Sequence, residues 1–178
     1  MVVPEFAAPG GPSLNAWLIQ WCQMRLKTNG SFGLDAVSMG VADEKDNLLC
    51  VTVFDNFRKG RNGQALNIEC AIAADSPRWA NRGTIRAILH YPFCQLKVQR
   101  MTLFVAESNA RSFKLTQGLG FKVEGMIREA LEGGENLHVL GMLREESRRW
   151  LGDLLGPKPD QESQPDIAHM PVSNMIAA

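Results

Sequence analysis

The chain has one tyrosine, three histidines and four cysteines among 178 residues, and its nineteen Lys and Arg are cancelled by nineteen Asp and Glu. Each shortage excludes something. Cys22, Cys50, Cys70 and Cys94 are too widely spaced for C-x-x-C metal clamps, and each lies in an apolar stretch, so buried reduced thiols are expected. His90, His138 and His169 form no H-x-x-x-H or H-E-x-x-H pair, and no metal site is expected. Zero net charge removes the electrostatic footprint of a non-specific nucleic-acid binder. No run approaches the ~20 apolar residues of a spanning helix, and the start, MVVPEFAAPGGPS, lacks the basic and apolar regions of a signal peptide. A cytoplasmic protein with no membrane or nucleic-acid partner is the expectation.

What is present, 45% hydrophobic and 21% charged residues, suits one globular domain with a substantial core. An irregular arm is expected over 1–12, a domain over 13–155 and a flexible tail over 156–178, where Pro, Gln, Ser and Asp accumulate. Leu14, Trp17, Leu18, Trp21 and Cys22 recur at helical spacing behind the cap Ser13, predicting a helix to about Leu26 with both tryptophans in the core. Strands are predicted around 36–42, 48–54 and 65–73 as an antiparallel meander, with NFRKGRNG as a turn. A helical segment over 85–89, a strand over 100–106, a helix over 109–119, strands over 121–128 and 137–143, and a terminal helix in REESRRWLGDLL complete one mixed α/β sheet layered by helices.

Chemistry concentrates between Ala65 and Leu89. Leu66, Ile68, Cys70 and Ile72 alternate with Asn67, Glu69, Ala71 and Ala73, giving one apolar face and one of small residues plus a carboxylate. The strand feeds DSPRWANRGT and then a helix N-terminus, whose free N–H groups and dipole favour phosphates. Asn81 and Gly83 can take φ > 0 there, and Arg78 and Arg82 supply cations, with Arg86 one turn on. An ordinary turn with solvated arginines fits this segment as well.

Asn109-Ala110-Arg111-Ser112 followed by Gly118-Leu119-Gly120-Phe121 and Glu124-Gly125-Met126-Ile127-Arg128 resembles the N-x-x-[AS], L-G-F and E-G-x-x-R pattern of the GNAT superfamily of acetyl-CoA-dependent N-acetyltransferases. Arg78-x-x-Asn81-x-Gly83 is similar to that family's pyrophosphate loop, with Asn replacing the first glycine. The likeness runs from about Ala65 to Glu145, and GMLREE looks like the branch that acts on protein N-termini and small amines.

The resemblance implies an α/β (α+β) fold with a single, mostly antiparallel sheet of about six to seven strands flanked by helices. It also implies acetyl-CoA as cosubstrate, with its pantetheine arm between splayed strands 66–73 and 100–106. Ile72, Ala73, Arg78, Asn81, Arg82, Gly83, Thr84, Asn109 and Ser112 would hold it, and an amine on a small molecule or a protein would accept the acetyl group. Homodimers are common among such proteins. Glu69 matches the family's strand carboxylate, and burial beside an apolar channel would fit it to act as the base; His138 is the runner-up. The family's tyrosine acid is replaced by Thr116, which leaves Ser112 to hydrogen-bond the departing sulfur. A catalytically weak or inactive relative that keeps CoA binding and acts through protein interactions is the alternative.

Overall fold

The computed structural model describes residues 13–26 and 31–156; the leading arm and all of the tail but Gly156 lie outside the described residues. Its elements in chain order are α1 (Leu14–Gln23), β1 (Val37–Ala42), β2 (Leu48–Lys59), β3 (Ala65–Ala74), α2 (Arg82–His90), β4 (Arg100–Ala106), α3 (Ala110–Leu119), β5 (Lys122–Ile127), β6 (Leu137–Leu143) and α4 (Arg148–Leu151). Six strands form one sheet in the order β1-β2-β3-β4-β6-β5, antiparallel except where β3 meets β4. The expected fold class stands, at the lower end of the strand range.

Alternation along the strands gives the sheet two different faces. Cys50, Phe54, Ile68, Cys70, Met101, Leu103, Val105, Leu140 and Met142 point to one side and pack with Ile85, Ile88 and Leu89 of α2, Leu119 of α3 and Leu151 of α4. On the other side only α1 covers the sheet among the described residues, resting Leu18, Trp21 and Cys22 on Val51, Val53 and Ala73. The small Ala73 is thus a seat for α1. Arg25 fastens the far end of that helix by two 2.8 Å hydrogen bonds to Asp75, just past β3.

Several local expectations change. Trp17 is 41% exposed, because the stripe that reaches the sheet is the narrower Leu18-Trp21-Cys22 set. Cys94 is only half-buried, in a turn of Tyr91–Gln95 that continues α2, whereas the other three thiols are buried as expected. β2 runs on to Lys59, so Asn56 to Lys59 are strand and the turn is Gly60 to Gln64, closed by the Gly60 N–H to the Gln64 carbonyl. α2 starts three residues earlier than expected because Asn81 caps it. The terminal helix is a single turn, α4, broken at Gly152, whose φ of +55° leaves the helical region.

Candidate active site

β3 and β4 pair in parallel only from Asn67↔Arg100 to Cys70↔Leu103. Beyond that point Ala71–Ala74 stay paired with β2, and Phe104–Ala106 with β6, so the two strands part and leave facing edges unpaired. Both chains then turn into helices: β3 leads to α2 and β4 to α3. The sheet is therefore split at the carboxyl ends of its one parallel pair, with two helix N-termini beside the split, the usual ligand position in sheets that contain parallel strands.

Each of those helices begins on an asparagine. Asn81 Oδ1 accepts from the Thr84 N–H at 3.0 Å, and Asn109 Oδ1 accepts from the Ser112 N–H at 3.1 Å. Each cap satisfies one first-turn donor, and the N–H groups of Arg82 and Gly83 remain ahead of the first intrahelical bond. The φ > 0 expectation fails at both positions, since Asn81 is extended at φ −95° and Gly83 lies inside the helical first turn. What Gly83 offers is bareness: a Cβ there would meet only Asn81 Oδ1, at 3.3 Å.

Charge around the loop is uneven. Arg78 is drawn to Asp43 in the β1–β2 turn at 3.2 Å and stays 69% exposed. Asp75 is held below the usual carboxylate range by the Arg25 hydrogen bonds. Both acids beside the loop are thus neutralised, while Arg82 and Arg86, and Arg111 in the first turn of α3, have no ion pair among the described residues. Arg82 lies over the Trp150 ring, 5.7 Å from its centroid. Two helix N-termini and three guanidinium groups without an ion pair among the described residues suit an anionic ligand.

Glu69 is in the last paired stretch before the split, on the sheet face that α1 leaves open. It is half-buried, and its Oε2 accepts from Asn56 Nδ2 at 2.8 Å. Beside it a polar row crosses the open face: Thr102 Oγ1 donates to Asn67 Oδ1 at 2.8 Å, Arg100 donates to Thr102 Oγ1 at 3.2 Å, and Arg100 pairs with Glu124. Glu124 lies flat across β6 because Gly141 has no side chain; a Cβ there would overlap its carboxylate. The row escaped sequence reasoning, although a glycine inside the strand LHVLGML was a signal of close approach.

No family model matches the chain, and no curated protein matches it. Solved structures do. Spermidine N-acetyltransferase from Vibrio cholerae, in complex with CoA and spermine, aligns at 21% identity and a TM-score of 0.53 over 64% of this chain and 68% of that one. A dodecameric structure of the same enzyme gives 21% and 0.54 over 65% and 68%. Ribosomal-protein-S5-alanine acetyltransferase from Vibrio fischeri gives 14% and 0.52 over 62% of each chain. The chain has the GNAT fold.

Within the GNAT fold the remaining candidates separate. Thr116 is buried, and its hydroxyl donates to the Ser112 and Phe113 carbonyls of its own helix. Its position follows from α3 turning that face into the core. Ser112 is half-buried one turn earlier. His138 packs on Phe113, ring centroids 4.5 Å apart, on the helix-covered face opposite to Glu69. Ile72 also faces the helix-covered core, and Tyr91 closes α2 against Phe54 at 4.9 Å. Burial pushes the Cys22 thiol up to about 11 and the Cys50 thiol up to about 12, and raises that of Cys70, so none is a thiolate nucleophile at neutral pH.

Proposed function

We propose that this chain is an acetyl-CoA-dependent N-acetyltransferase that acylates a primary amine by direct attack in a ternary complex. The observation that carries the reading is the split between β3 and β4, flanked by two capped helix N-termini and with Glu69 where the strands part. Arg82, Gly83, Thr84 and Arg86 at the start of α2 would hold the pyrophosphate, and the unpaired edge at Ile72 and Ala73 would carry the pantetheine arm. Asn109 and Ser112 border that arm from α3. Arg78 and Asn81 shape the loop, one tied to Asp43 and the other capping α2.

Acetyl-CoA supplies the thioester carbonyl at which the amine forms its C–N bond as the C–S bond breaks. Glu69, directly or through water, takes the proton that the acceptor nitrogen must lose. A strand N–H on the open edge of β3 donates to the oxyanion. Ser112 hydrogen-bonds the departing sulfur. The buried thiols of Cys22, Cys50 and Cys70 offer no acyl-enzyme route at neutral pH, which favours direct transfer.

Acceptor candidates follow from the fold's relatives: a polyamine or an alanine N-terminus. The test incubates the protein with acetyl-CoA and, separately, spermine, spermidine, a peptide with N-terminal alanine and a lysine peptide, following thiol release and product mass. Acetylation of one of them, dependent on the chain, is expected. Acetyl-CoA binding with no transfer to any amine would instead favour the CoA-binding relative, a reading supported by the Thr116 hydroxyl being spent on its own helix.

A further inference from the structure

β2 and β3 pair one for one from Cys50↔Ala74 to Asp55↔Glu69, lose register, and resume at Arg58↔Asn67. β2 takes three steps where β3 takes two, so Asn56 and Phe57 stand opposite Ile68 in a β-bulge. Asn56 carries the distortion, with φ +51°. Asparagine is among the few residues besides glycine that enter this region at low cost.

Without the bulge, alternation would place Asn56 on the helix-covered face with Phe54, away from Glu69. With it, both N–H groups of Asn56 meet carboxylates: the backbone N–H donates to Asp55 Oδ1 at 2.8 Å and the side-chain Nδ2 to Glu69 Oε2 at 2.8 Å. Asp55 also accepts from the Gly33 N–H at 3.0 Å. Two carboxylates directly opposite one another across an antiparallel pair repel. The bulge sets a donor against each.

We infer that Asn56 is a positioning residue for Glu69: the bulge re-aims its amide so that the carboxylate is held oriented toward the point where β3 and β4 part. The inference rests on the reading of Glu69 as the base. Among the described residues the charged groups on this face include Asp55 and Arg58 of β2, Arg100 of β4, Lys122 and Glu124 of β5, and Asp35 ahead of β1. Arg100 is engaged by Glu124 and Thr102, so Asn56 is the donor hydrogen-bonded to Glu69.

Two variants separate positioning from mere accommodation of the bulge. Asn56→Gly keeps positive φ free of strain and deletes the donor; Asn56→Asp keeps the shape and replaces the donor by a like charge. The pH–rate profile is recorded with the amine selected by the acceptor panel, beside Glu69→Gln, which is expected to lose the lower break of the profile. Both Asn56→Gly and Asn56→Asp are expected to lower kcat while leaving the KM for acetyl-CoA unchanged, because each removes the hydrogen bond that aims the carboxylate. At the wild-type optimum Asn56→Gly is expected to lose about three- to tenfold in kcat, with an unchanged melting temperature. Wild-type kcat in both variants, alongside a break lost in Glu69→Gln, overturns the positioning role and leaves the base in place. A wild-type profile in Glu69→Gln overturns both.

Discussion

Glu69 owes its place to a two-residue period: Ile68 and Cys70 must face the helices, so Glu69 must face away, toward the open side of the sheet. That logic was legible in the sequence. Replacing it by glutamine keeps shape and hydrogen-bonding capacity and removes the base, so turnover at neutral pH is expected to fall by about a hundredfold. The deficit is expected to shrink as rising pH deprotonates the amine unaided, which a kcat profile to alkaline pH measures; a wild-type rate at every pH removes Glu69 from the mechanism. Asn56 was not legible, because a bulge is a failure of the period from which side-chain direction is read. Trp17 failed for a related reason: helical spacing names a stripe, but the narrow contact between α1 and Val51, Val53 and Ala73 decides which edge of it is covered. The cysteines carry a further expectation. With native protein at neutral pH a thiol-specific chromogenic reagent should titrate Cys94 first, while Cys22, Cys50 and Cys70 react only on unfolding, since burial raises all three.

Among the elements, β4 and β6 have the bounds that their sequence pattern predicts, because their flanking turns are marked and their buried residues alternate cleanly. Helix ends were legible where a side chain caps them. Asn109 starts α3 as expected, and Gly120, at φ +105°, ends it. Asn81 was read first as part of a phosphate loop, and its capping of α2 shows that one residue can set both the helix start and the loop shape. The N-terminus of α2 gives a test confined to that element. Gly83→Glu puts a carboxylate in the first turn, where the helix dipole welcomes it and the only nearby atom is Asn81 Oδ1, so folding stability is expected to hold. The same charge confronts the pyrophosphate, and affinity for CoA by calorimetry is expected to drop about tenfold or more. Unchanged affinity would mean that the phosphates lie elsewhere.

At the scale of the molecule, the described residues form a six-stranded sheet that is clad by three helices on one face and by one helix, over part of its width, on the other. Zero net charge said nothing of this arrangement. With Asp43 and Asp75 taken up by Arg78 and Arg25, Arg82 and Arg86 of α2 and Arg111 of α3 carry no ion pair among the described residues, so a neutral chain places cations on the two helices that start beside the split. The split itself could not be read from any one segment, because it depends on where β3 stops pairing with β4, a relation between strands 26 or more residues apart in the chain that only the register reveals. A ligand that fills the split must bind the folded chain and not the unfolded one. The direct measurement is therefore thermal unfolding with and without acetyl-CoA: at about a hundred times its dissociation constant the melting temperature should rise by about 5–10 °C, and no rise at saturating acetyl-CoA or CoA would contradict the account.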